Sequence, residues 1–208
     1  MRIVAGLGNP GKRYAGTRHN VGFRVVRELA RRRGVQAFDE ACGSLIARAD
    51  DRPALVMPQT YMNRSGFALR CLAERHQLET GAFLVVYDEV HLPLGALRLR
   101  PKGSPAGHRG LESVLENLGT DEVPRLRLGV GAAEGPPDGA DLVDFVLSNF
   151  EESEQETVEV MIQRAADACE IWAIEGSDAA MQRFNRSSPT PDSEEAGPDS
   201  EEPGEVAT

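Results

Sequence analysis

The chain has 208 residues, 40% of them hydrophobic, and a formal charge of −10. That size suits one domain, or one domain with a tail, with enough apolar content for a sizeable core. No run approaches the roughly 18 consecutive apolar residues of a membrane span, and the N-terminus enters an apolar stretch without a basic-then-apolar signal region, so a cytoplasmic protein is expected.

Ile3, Val4, Ala5 and Leu7 form a short apolar run bounded by glycine, the mark of a buried strand. Gly8-Asn9-Pro10-Gly11 then predicts a sharp turn, and a polar span holding Tyr14, Arg18, His19 and Asn20 leads into a helix over 21–33, where Val21, Val25 and Leu29 share a face. Gly34 stops it, and Arg31, Arg32 and Arg33 suit the negative end of its dipole. Residues 44–57 read as a hairpin around Asp50-Asp51-Arg52-Pro53, followed by a polar loop (Pro58 to Asn63) and a helix to about His76. Phe83 to Tyr87 is a continuous apolar run suited to a central strand, with Asp88 and Glu89 at its end. Leu97 and Leu99 alternate with Arg98 and Arg100 in a half-exposed strand. A basic glycine-containing loop (102–110), a short helix (111–118) and a further alternating strand (125–131) follow, then a Gly/Pro-rich segment at 135–139. The last long helix runs to about Glu175, with Val158, Ile162, Ala165, Ala166, Cys169 and Trp172 as its apolar stripe.

Residues 187–208 carry seven acids and no base, so residues 1–186 carry only −3. The tail is too poor in apolar residues to offset ordering entropy and reads as disordered. The body, with basic clusters at 31–33 and 98–102, leaves a nucleic-acid partner open. Cys42, Cys71 and Cys169 lack CxxC or CxH spacing and read as separate thiols in a reducing compartment, outside any disulfide or metal set. Strands alternating with helices predict a single α/β domain over 1–186, its mixed, mostly parallel central sheet flanked by helices on both faces.

Polar clusters stand at element ends: Asn9, His19-Asn20, Asn63 and Asp88. No nucleophile elbow, HExxH or Walker lysine is present. GLGNPG superficially matches a dinucleotide fingerprint, but Pro10 stands where the helix should open, so an oxidoreductase is a poor reading. What remains is a histidine, an aspartate and asparagines. A neutral imidazole takes a proton from water near pH 7, a carboxylate on its other nitrogen fixes the tautomer, and amides donate to a developing oxyanion. The set suits ester hydrolysis by direct water attack; His76, His91 and His108 are rivals to His19 for the base.

GLGNPGKRYAGTRHNVGF, PQTYMNRSG, VVYDEVHLPLG and GHRGL occur in the order and spacing of bacterial-type peptidyl-tRNA hydrolases, and on these motifs the chain resembles that family over about residues 1–186. The resemblance implies hydrolysis of the ester between a peptide and tRNA, with His19 as general base, Asp88 as its orienting partner, and Asn9 discriminating a blocked peptidyl amide from a free aminoacyl group. It implies substrate or tRNA contacts at Tyr14, Asn20, Tyr61, Asn63 and Arg109. It further implies a clamp by Arg100 and Arg127 on the 5′-phosphate end of the acceptor stem, no metal or other cofactor, and peptidyl-tRNA as partner, extending to stalled large ribosomal subunits. A monomer is expected. Two positions depart from the family pattern: Arg109 stands where GHNGL is usual, and His91 where DELDLP is usual. A non-catalytic RNA-binding module on the same fold is the alternative, and the joint presence of Asn9, His19 and Asp88 speaks against it.

Overall fold

The computed structural model describes residues 1–48, 52–132, 135 and 139–185. The acidic tail, the domain limit at residue 186, Asp50 and Asp51 of the expected hairpin turn, and part of the 135–139 segment lie outside them.

A seven-stranded sheet runs through the molecule in the order β2-β3-β4-β1-β5-β7-β6. The strands are β1 (Ile3–Gly6), β2 (Asp39–Ala41), β3 (Ser44–Ala47), β4 (Ala54–Pro58), β5 (Phe83–Pro93), β6 (Leu97–Arg100) and β7 (Arg125–Gly131). The four central strands β4, β1, β5 and β7 are parallel. The outer pairings β2–β3, β3–β4 and β6–β7 are antiparallel. Strands buried on both faces read as continuous apolar runs, as β1 and the first half of β5 do.

Helices cover both faces. Helix α1 (Val21–Arg32), the long α5 (Gln155–Glu175) and α6 (Ser177–Phe184) close one core around Val26, Leu84, Val86 and Trp172. On the other face α2 (Ser65–His76) and α3 (Arg109–Leu118) pack over Ala5, Val85, Tyr87, Leu69 and Leu111. A short helix, α4 (Gly139–Leu147), lies against the turn that carries His19.

The apolar periodicities of α1, α2 and α5 place their predicted faces in the core: Val21, Val25, Leu29, Leu69, Leu72, Val158, Ile162 and Trp172 are all buried. Arg31 and Arg32 are held by Glu28, and Arg33 donates to the Pro53 carbonyl, so this cluster is occupied within the fold. Two close approaches set the geometry of the site. A Cβ on Gly22 would lie 2.4 Å from the Val86 carbonyl oxygen and 2.7 Å from Leu7 backbone atoms, and one on Gly6 would lie 2.2 Å from the Gly22 carbonyl oxygen. Bare backbone at both positions lets the start of α1 sit directly on β1 and β5.

The structure corrects two expectations. Asp88 and Glu89 do not end the central strand: β5 continues to Pro93, and both acids are buried within it. Cys42 and Cys71 are bonded to each other, with Cα atoms 5.6 Å apart, while Cys169 alone is a buried free thiol. The pairing escapes spacing rules because the tight turn between β2 and β3 folds back against α2 from 29 residues away.

Candidate active site

A cavity of about 550 Å³ opens at the carboxyl ends of the parallel strands, where α/β sheets hold their ligands. The β1 exit supplies Asn9, Tyr14 and His19; the β4 exit supplies Tyr61, Met62 and Asn63; β5 supplies Asp88 and Glu89. The loop into α3 adds His108 and Arg109, and α4 forms the remaining wall with Leu142, Val143, Val146 and Leu147.

Asp88 is the hub. His19 Nδ1 lies 2.9 Å from each of its carboxylate oxygens, and His108 Nε2 lies 3.0 Å from Oδ1. The tautomers follow from the remaining contacts. His108 Nδ1 accepts from the Leu111 backbone N–H at 3.1 Å, capping α3, so the ring proton sits on Nε2 and is donated to Asp88. Asp88, 2% exposed, thus accepts from both rings, and His19 donates through Nδ1. That leaves His19 Nε2 as the lone-pair nitrogen, on a side chain 14% exposed beside the cavity.

Burial disfavours the His19 imidazolium, but the Asp88 charge and hydrogen bond outweigh it, and the pKa is raised above 6.5. For Asp88 burial works toward protonation, yet the two imidazoles hold it well below the usual carboxylate range. His19, Asp88 and His108 also form the one group among the described residues whose donor atoms gather within 4.8 Å as a metal would need. Their mutual hydrogen bonds account for the gathering, since the two ring nitrogens facing Asp88 carry protons rather than free lone pairs.

Asn9 is fixed from three directions. Its backbone N–H donates to Asn20 Oδ1 and its carbonyl accepts from Asn20 Nδ2, both at 2.9 Å. Its own Oδ1 accepts from the Met62 N–H at 2.8 Å. The atom Asn9 presents to a ligand is therefore Nδ2, a donor. Asn20 is 1% exposed with its amide committed to Asn9, so it reaches substrate only through Asn9. A Cβ on Gly110 would lie 2.3 Å from Met62 Sδ and 2.9 Å from the His108 ring, so a bare position here lets α3 close on the pocket floor.

Tyr14, Tyr61, Asn63 and Arg109 all line the cavity, with Tyr61 58% exposed. Arg109 is the first residue of α3. His91, also on the lining, stands two residues beyond Glu89 and donates its backbone N–H to that carboxylate. Arg100 and Arg127 are not among the lining residues. Both belong to the β6–β7 edge, where Arg100 is exposed and Arg127 donates through Nε and Nη2 to Glu89. His108 is the site residue that the sequence presents only as a rival to His19 for the base. Its sequence signal was a glycine-flanked histidine opening a helix.

An aspartate-held histidine at a cavity lined by Asn9, Asn63, Tyr14 and Tyr61, at the carboxyl ends of a parallel sheet, has the acceptor and donor groups of a hydrolytic site. The family model described as peptidyl-tRNA hydrolase matches residues 3–192. A peptidyl-tRNA hydrolase of Chloroflexus aggregans is 45% identical over 189 residues, covering 89% of this chain and 99% of the relative. One from Syntrophomonas wolfei is 42% identical over 188 residues, covering 89% of this chain and 100% of its own. The crystal structure of peptidyl-tRNA hydrolase from Acinetobacter baumannii superposes with a TM-score of 0.83 at 29% identity, over 91% of this chain and 97% of that one. The chain belongs to the peptidyl-tRNA hydrolase family.

Proposed function

We propose that this protein hydrolyses the ester joining a peptide to the 3′ end of tRNA, with His19 as general base. The observation that carries the reading is the direction of the His19 ring: Nδ1 is committed to Asp88, so Nε2 is left to accept a proton beside the cavity. Water attacks the ester carbonyl carbon while Nε2 takes its proton, and Asp88 stabilises the imidazolium that forms. The tetrahedral oxyanion and the peptide backbone find donors in Asn9 Nδ2 and the Asn63 amide. Collapse expels the ribose oxygen, which recovers the proton from His19. Peptide acid and free tRNA leave, and the enzyme returns to its starting state with no covalent intermediate.

The exposed ring of Tyr61 and the ring of Tyr14 suit stacking with the terminal base or packing with the peptide. Arg109, at the positive end of α3, suits a phosphate or a peptide carbonyl. Arg100 on the edge strand β6 and Arg127 on the neighbouring β7 suit a clamp on the 5′ phosphate, which supplies affinity and register. Among the described residues no helix is long and apolar enough to cross a membrane. The protein works as a cytoplasmic monomer on peptidyl-tRNA released from, or trapped on, stalled ribosomes.

Release of N-acetylated amino acid from its tRNA tests the reading. Wild type is expected to cleave it, and His19→Ala to be slower by about 10²–10⁴-fold. Arg109→Asn measures what the altered loop does to KM. Binding of the tRNA by wild type without release would replace the enzyme with an RNA-binding module.

A further inference from the structure

Arg18 is a buried cation with no part in the chemistry above. Its side chain is 5% exposed. Nη1 donates to Glu154 Oε1 at 3.0 Å and Nη2 to Oε2 at 2.7 Å. The guanidinium carbon lies 4.5 Å from the ring centre of Phe145 and 4.7 Å from that of Phe150. Nε is buried as well and finds no acceptor among the described residues. An apolar side chain between two phenylalanines would avoid these desolvation costs. What it would not provide is direction: a planar fork aimed at one carboxylate, with rings packed about it.

The things Arg18 connects give that direction a use. It precedes His19 in the 3-10 turn Arg18–Asn20. At the far end of that turn Asn20 is pinned to Asn9. At the near end the Arg18 N–H donates to the Ser148 carbonyl at 3.0 Å, and Thr17 bridges Asn149. Phe145 belongs to α4, the helix whose Leu142, Val143, Val146 and Leu147 form a wall of the cavity. Glu154 is itself fixed, since Oε2 accepts from the Glu151 N–H at 2.7 Å in the capping box that opens α5. One guanidinium therefore joins the base, the substrate wall and the start of the longest helix.

We propose that Arg18 is a positioning residue of the hydrolytic site: through Glu154, Phe145 and Phe150 it holds the α4 wall and the His19 turn as one unit, keeping the imidazole against Asp88 at the level of the bound ester. The proposal rests on the reading of His19 as general base. The titratable and charged groups around it are Asp88 and His108 facing His19, Glu154 facing Arg18, and the Arg24–Glu159 pair by Phe150.

The test is the pH profile of kcat/KM on N-acetylaminoacyl-tRNA for Arg18→Lys, which keeps a cation for Glu154 but loses the fork and the plane. The expected result is a kcat/KM at least tenfold lower at neutral pH, with the acid limb moved down toward the ordinary imidazole value as His19 leaves Asp88. A merely structural role lowers the amount of active enzyme and scales the profile without moving that limb. That result, or an unchanged profile, overturns the proposal. Phe145→Leu alters no charge; it is expected to move the limb the same way by less, and it decides the matter if Arg18→Lys does not fold. Failure of the general-base reading shows separately, as wild-type turnover by His19→Ala.

Discussion

His108 does two jobs with one ring. Nδ1 accepts the Leu111 N–H in the first turn of α3 and Nε2 donates to Asp88, so the cap fixes the tautomer that the carboxylate needs. His108→Ala removes a helix cap and leaves a buried carboxylate one donor short, which lowers unfolding free energy by about 2–4 kcal/mol. His108→Asn keeps an acceptor at the Nδ1 position for the cap but places no donor at the Nε2 position for Asp88, and is expected to lose less than His108→Ala in urea unfolding. Equal losses would mean that the cap contributes nothing. This role was not legible beforehand, because it depends on β5 carrying Asp88 beneath a loop 20 residues further along. That His19 and Asp88 meet was legible from residue type and motif. Of the alternating arginines near the edge, nothing in RLRLG tells that Arg125 is buried on the carbonyls of Gly103, Asp121 and Val123 while Arg127 meets Glu89.

Among the elements, the contact of α1 with β1 and β5 decides whether His19 reaches Asp88. Gly22→Ala drives a methyl into the Val86 carbonyl oxygen and the Leu7 backbone, which are fixed in or beside the sheet. The start of α1 must lift, carrying the His19 turn with it. We expect Gly22→Ala to destabilise the fold and to lower kcat in the folded fraction by at least tenfold. Paired thermal unfolding and active-site-normalised kinetics check this; full kcat in folded protein would contradict it. The helices were legible because their apolar residues recur at 3.6 spacing over three or more turns. Strand β2 and helix α6 were not: β2 is three residues long and largely exposed, and α6 follows a glycine after a helix already long enough to end. In sequence Asp88 and Glu89 look like the end of strand β5, and only the pairing of Glu89 with Arg127 and of Asp88 with two histidines lets them remain inside it.

For the molecule as a whole, the Cys42–Cys71 bond fastens the β2–β3 turn at the sheet edge to the middle of α2, the helix that follows the Tyr61–Asn63 loop. Closing a loop of 29 residues stabilises by about 3–4 kcal/mol on chain-entropy grounds. Reduction is therefore expected to lower the thermal midpoint by about 6–16 °C for a chain of this size. Melting curves with and without reductant, alongside thiol titration, check it, and coincident curves would refute it. The overall architecture was readable from the alternation of strands and helices, whereas the cysteine pair was not, because sequence spacing carries no information about which turns meet.

The most direct test of the catalytic account is the pH dependence of kcat/KM on N-acetylaminoacyl-tRNA for wild type and Asp88→Asn. His19 must be neutral to take a proton, and Asp88 raises its pKa, so activity is lost as pH falls through a value above 6.5. In Asp88→Asn the burial penalty on the imidazolium stands without its counter-charge. The acid limb then moves downward and the pH-independent rate falls by about 10²–10⁴-fold, as the ring loses the carboxylate that orients it and stabilises its charge. Coincident acid limbs and comparable rates in the two proteins would contradict the account, and would place the base elsewhere than on an Asp88-held His19.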